Sequence, residues 1–221
     1  MSVADWRRRF QAQLDLPDRD SAEIVFLGDS ITEAWGDSES FNRTFGARHP
    51  LNLGISGDQT QHLLWRIEQG VLAGTHPSWA IVQIGVNNLN HGFTPEQTAG
   101  GVAEIVRRLR EQLPETQVVI LAILPTTEHA SDPMRALVSE TNSLLALQQI
   151  RGQVAFADLG PSMLDQKGAI SPDNIADLLH PTEAGYALLS AGLERFLAAE
   201  AKRNTKSPSI KEGGAHPGAE K

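Results

Sequence analysis

The stretch IVFLGDSIT, residues 24–32, decides the fold. Ile24, Val25, Phe26 and Leu27 form an apolar run without polar alternation, the pattern of a strand covered on both faces in a parallel sheet. Gly28 ends the run, and Asp29, Ser30 and Thr32 supply the polar groups of a strand-to-helix turn. A serine at such a turn can present its hydroxyl, and the nearby backbone N–H groups can face a developing negative charge. A helix N-cap, for which Asp and Ser are both favoured, explains the same residues.

Four further apolar runs follow, at Leu51–Leu53, Trp79–Ile84, Val118–Leu124 and Val154–Ala157. Helical patterns separate them. Val102, Ile105, Val106, Leu109 and Leu113 recur at helical spacing, with Gly100 and Gly101 leaving the start of that helix open. Met134, Leu137, Val138, Thr141, Leu144 and Leu145 form a second stripe behind Pro133, which suits a first helical turn. Tyr186, Leu189, Leu193, Phe196 and Leu197 form a third. Five strands alternating with helices imply an α/β fold: a three-layer helix–sheet–helix sandwich with a five-stranded parallel sheet. Ligands in such folds bind at the carboxyl ends of the strands.

Composition excludes several kinds of chemistry. The 221 residues are 40% hydrophobic, enough for one domain with a sizeable core. Cysteine is absent, which removes disulfides, thiolate metal sites and a cysteine nucleophile together. With 27 acidic against 19 basic residues, the formal net charge of −8 argues against nucleic-acid binding. No apolar run reaches the roughly 18 residues of a membrane span. The seven histidines lack paired spacing such as His-Glu-x-x-His, so neither metal nor cofactor is expected. Residues 1–14 lack the apolar core of a signal peptide and place Arg7, Arg8 and Arg9 between Trp6 and Phe10, as on the outer face of a helix; a cytoplasmic location is expected. Residues 201–221 carry one large aliphatic side chain, Ile210, and read as a disordered tail after a domain spanning 1–200.

Three other segments at strand or helix ends carry polar groups. Asn52 to Thr60 (NLGISGDQT) places two glycines three apart, so that backbone can approach a ligand, with Asp58 available to cap the next helix. Gly85-Val86-Asn87-Asn88 offers side-chain amides, which are neutral donors suited to an oxyanion but also frequent in turns. Asp177-Leu178-Leu179-His180 precedes the last helix, and a spacing of three puts Asp177 and His180 on one side of a helical turn. The carboxylate could then fix the imidazole tautomer. Asp165 and Asp173 are rival carboxylates.

Taken in order, GDS at 28–30, the glycine of ISGD at 57, GVNN at 85–88 and DLLH at 177–180 resemble the blocks of the SGNH (GDSL) hydrolase superfamily. LNLGISGDQTQHLLWRIEQG, residues 51–70, is most similar to the platelet-activating-factor acetylhydrolase catalytic α subunit-like branch. The resemblance implies a flavodoxin-like fold, with Ser30 as nucleophile, His180 as general base and Asp177 orienting it. It also implies an oxyanion hole from the Ser30 N–H, the Gly57 N–H and the Asn87 amide. Many members carry Asp where this chain has Asn88. The expected activity is a serine esterase acting on short-chain acyl esters, acetyl above all. Alternatives are a thioesterase or lysophospholipase, a carbohydrate O-acetyl esterase, or a non-catalytic interaction module. The partner is a small-molecule ester, and a homodimer is possible by family analogy. Loops 89–93 and 124–128 are expected to shape the substrate pocket.

Overall fold

The apolar runs pair as parallel strands because each buries both faces under helices. The computed structural model describes residues 2–205 and contains β1 (Ile24–Gly28), β2 (Pro50–Gly54), β3 (Trp79–Gln83), β4 (Gln117–Leu121) and β5 (Val154–Ala157). They form one parallel sheet in the order β2-β1-β3-β4-β5. The two long runs overshoot their strands: Ile84 and Ala122–Leu124 are buried beyond the ladder, so apolarity outlasts the hydrogen bonding there. The strand order reverses between β1 and β3, which opens a crevice at their carboxyl ends.

Among the described residues eight α-helices cover the sheet: α1 (Val3–Leu14), α2 (Ser30–Asp37), α3 (Glu39–Phe45), α4 (Thr60–Glu68), α5 (Val86–Asn90), α6 (Pro95–Gln112), α7 (Pro133–Ala146) and α8 (Glu183–Thr205). The start of α6 lies before the two glycines. Thr94 and Gln97 cap it reciprocally at 3.2 and 3.0 Å, with Pro95 in the first turn. Gly101 lies within the helix where α4 crosses, and the crossing leaves no room for a side chain: a Cβ would sit 2.4 Å from Thr60 Oγ1. None of these helices is long and apolar enough to cross a membrane.

No break in secondary structure marks the boundary expected after residue 200. Residues 201–205 continue α8, where Lys202 and Arg203 sit favourably at a helix C-terminus and Arg203 pairs with Glu200 at 2.5 Å. Residues 206–221 lie outside the described residues.

One buried cation joins the carboxyl edge of the sheet to the helices. Arg66 lies on the apolar face of α4 beside Leu63 and Ile67, and its side chain is fully buried. Nε and Nη2 donate to Asp58 Oδ2 at 2.9 and 2.6 Å. Nη1 donates to Leu53 O at 2.7 Å and Gln13 Oε1 at 3.0 Å, and Nη2 also reaches Gly28 O at 3.3 Å. All five guanidinium N–H groups therefore have acceptors, drawn from β1, β2, α1 and the β2–α4 loop. Removing one partner of such a pair strands the other charge in a medium that cannot solvate it. Arg66→Leu is expected to lower the unfolding free energy by about 3–5 kcal/mol. Urea titration would show this as a shifted midpoint at unchanged slope; a loss under about 1 kcal/mol would contradict the assignment.

Candidate active site

Ser30 opens α2, but the cap is its neighbour. Asp29 Oδ1 accepts from Ile31 N at 3.0 Å, which leaves the Ser30 hydroxyl free. Ser30 Oγ lies 2.9 Å from His180 Nε2, and His180 Nδ1 lies 2.7 Å from Asp177 Oδ2. The four residues 177–180 are not the helical turn that their spacing suggested. They form a bend in which Leu178 is left-handed (φ 65°), and α8 starts only at Glu183. Pro181 disfavours helical backbone at His180. Asp177 Oδ1 instead accepts from Leu179 N at 3.0 Å and His180 N at 2.6 Å, so one carboxylate holds both the backbone and the ring. Partial burial works to raise the Asp177 carboxyl, but hydrogen bonds from His180 outweigh it and hold the group below its ordinary value.

The rival acids have other partners. Asp165 Oδ1 accepts from Lys167 N and Ala169 N within its own turn, at 2.8 and 3.0 Å. Asp173 offers its carbonyl to Thr182 Oγ1 at 2.5 Å. Asp177 is the carboxylate hydrogen-bonded to His180.

Across the crevice, Gly57 turns the β2–α4 loop with φ +79°, a conformation that favours glycine. Asp58 does not cap α4 as expected. Gln59 stands at the N-cap, its N–H donating to His62 Nδ1 at 3.1 Å, and Asp58 turns inward to Arg66. The inward turn follows from Arg66, whose buried charge requires an anion. Asn87, in the first turn of α5, donates from Nδ2 to Asp58 O at 2.9 Å, which joins the two strand-end loops. Asn88 is wholly buried and ties α5 to α4: Oδ1 accepts from Thr60 N at 2.9 Å and Nδ2 donates to Thr60 Oγ1 at 3.0 Å.

A cleft of about 400 Å³ above Ser30 and His180 is walled by Arg9, Glu33, Asp37 and Ser56. Glu33 accepts from Ser56 N at 2.9 Å and also pairs with Arg9, so α1 and α2 meet there. A second cavity, of about 630 Å³, runs from Gly57 between α1 and α4 beside Trp6, His62 and Trp65. Of the two loops expected to shape the pocket, 124–128 touches the His180 segment, through Thr127 N to Leu178 O at 3.3 Å. Leu89 in the other is buried. Among the described residues no three His, Asp or Glu side chains gather to hold a metal.

Residues 26–188 match the family of GDSL-like lipases and acylhydrolases. The chain belongs to that family. This acylhydrolase is a hydrolase acting on ester bonds. It is 36% identical over 176 residues to the human platelet-activating factor acetylhydrolase IB subunit alpha1, covering 79% of this chain and 75% of that one. The rat alpha2 subunit is 32% identical over 185 residues, covering 83% and 79%. Among solved structures, a GDSL-like lipase from Bacteroides thetaiotaomicron superposes with a TM-score of 0.69 at 20% identity, covering 91% of this chain and 100% of the other. Axe2, an acetylxylan esterase from Geobacillus stearothermophilus, gives 0.63 at 18% identity, covering 81% and 95%. These two share the fold.

Sequence reasoning missed Arg66, Trp6 and Gln13 as supports of the site. A visible signal existed for the first, a cation at helical spacing within the apolar face of Leu63 and Ile67. Asp29 was read only as a cap. Burial pushes its carboxyl up to about 7; the Ile31 N–H opposes the shift and the nearby Asp58 adds to it. In the unfolded chain the group titrates near ~3.9. The fold therefore favours the protonated form, and its penalty is absent below the unfolded value. The penalty grows as pH rises and is complete above about 7. Asp29→Asn keeps a capping oxygen without the charge. Its melting temperature is expected to exceed the wild type's at pH 8, with the gap narrowing by pH 5. A gap independent of pH would refute the shifted carboxyl.

Proposed function

We propose that this acylhydrolase is a serine esterase for acetyl and other short-chain acyl esters. The chain of contacts from Ser30 through His180 to Asp177, at 2.9 and 2.7 Å, carries the reading. With Nδ1–H donated to Asp177, His180 Nε2 is left as the acceptor for the Ser30 proton. Ser30 Oγ attacks the ester carbonyl, and the new oxyanion receives hydrogen bonds from the Ser30 and Gly57 N–H groups and the Asn87 amide. Collapse expels the alcohol, protonated by the His180 imidazolium, and leaves an acyl-enzyme. Water then attacks with His180 as base, and release of the acid restores Ser30. The acetylhydrolases at 36% identity support the acetyl preference.

Ser30→Ala is expected to reduce kcat on p-nitrophenyl acetate by about 10⁴ or more. Asn87→Ala should lose roughly 10²–10³. Asp177→Asn should lose far more than Asp165→Asn or Asp173→Asn. Retained activity in Ser30→Ala, or failure of a fluorophosphonate to label Ser30, would overturn the nucleophile. An acyl-chain scan tests specificity: preference for octanoyl over acetyl esters would replace the acetylhydrolase reading with a thioesterase or lysophospholipase.

A further inference from the structure

Helix α1 lies outside the segment 26–188 that the family covers, yet its inner face reaches the Gly57 loop. Trp6 Nε1–H donates to Asp58 Oδ1 at 2.6 Å, while Arg66 takes the other carboxylate oxygen. One turn pair further on, Gln13 accepts from Arg66 Nη1 at 3.0 Å and donates from Nε2 to Gly54 O at 3.1 Å. Asp58 is the residue after Gly57, and its carbonyl receives the Asn87 amide. Its side chain is thus gripped from α1 and α4, while its backbone joins the two loops that bear Gly57 and Asn87.

From this geometry we infer that Trp6 is a positioning residue for the oxyanion hole, and that α1 is part of the catalytic apparatus. The inference rests on the reading of Gly57 and Asn87 as oxyanion donors. A Cβ at Gly57 would meet nothing within 4 Å, so the loop is held there by hydrogen bonds rather than by packing: Ser56 N–H donates to Glu33 at 2.9 Å and Asp58 N–H to Ile55 O at 3.1 Å, beside the grips on the Asp58 side chain. Without the indole N–H, Asp58 Oδ1 is a buried anionic oxygen lacking its donor. Such an oxygen turns toward another donor or draws in water, and the peptide units on either side follow it. Donors aimed at an oxyanion act through fixed placement, so a shift of a few tenths of an ångström weakens the transition state more than the bound ester.

The test compares Trp6→Phe, Trp65→Phe and Asn87→Ala in the full chain. Each is assayed with p-nitrophenyl acetate and with a trifluoromethyl ketone, which forms a tetrahedral oxyanion adduct on a serine nucleophile. Trp6→Phe keeps an aromatic ring and loses the N–H. It is expected to lower kcat about tenfold with KM within about twofold, and to weaken the ketone by a similar factor. Trp65→Phe perturbs the same aromatic packing, since Trp65 lies 5.4 Å from Trp6 and 5.2 Å from Phe10 between ring centres. It should lower the melting temperature and leave kcat unchanged. If Trp6→Phe keeps kcat within twofold while Asn87→Ala falls a hundredfold, the role of Trp6 is refuted and the oxyanion hole stands. If Asn87→Ala is itself active, the oxyanion reading fails and takes this inference with it. Should Trp6→Phe not fold, Gln13→Leu, which removes the second grip of α1, is read against the same outcomes.

Discussion

The buried Arg66–Asp58 pair is the interaction on which the active-site end of the molecule depends. Carbonyls at the carboxyl ends of parallel strands have no ladder partner once the strands stop, and burial without a donor is costly. Arg66 donates to two carbonyls at this edge, Leu53 O and Gly28 O, the second of which also accepts from Ile55 N at 3.2 Å. A lysine has three donors on one nitrogen and could not reach four acceptors spread over four segments; the planar fork of arginine can. Burial drives the Asp58 carboxyl up and the Arg66 guanidinium down, while each opposes the other's shift. That balance explains why the pair is surrounded by further hydrogen bonds from Trp6 and Gln13 rather than left as a bare contact.

A division of labour recurs at all three loops of the crevice. Asp29 caps α2, which frees Ser30. Asp58 anchors its loop to Arg66, which leaves Gly57 to turn the backbone outward. Asn88 locks α5 to α4 through Thr60, and Asn87 beside it donates to Asp58 O. In each adjacent pair one residue is buried and hydrogen-bonded, which fixes the backbone of its neighbour. This is the way a short loop can hold a polar group in place without packing around the group itself.

The strands and helical stripes were legible because burial on both faces of a sheet, and on one face of a helix, leaves periodic marks in the sequence. The boundaries were less so. Ile84 and Ile123 are apolar because helices cover them, not because strands continue there. Asp177 and His180 were legible as a pair, but the spacing of three suggested a helix, and only Pro181 hinted at the bend that forms. The site residues came as a set through the resemblance, since a lone Gly-Asp-Ser or Asn-Asn fits a cap or a turn equally well. Trp6 and Gln13 were not legible at all. Their contacts lie 52 and 53 residues away in the chain, and no local rule links an N-terminal helix to a loop after the second strand.

The charges around Ser30 can be ordered by their distance from solvent. Asp177 and His180 are partly exposed. Asp29 is buried within the field of His180, and that coupling favours its ionised form against the cost of burial. One carboxylate therefore holds the histidine, Asp177 through its hydrogen bond, while burial works against ionisation of the other, Asp29.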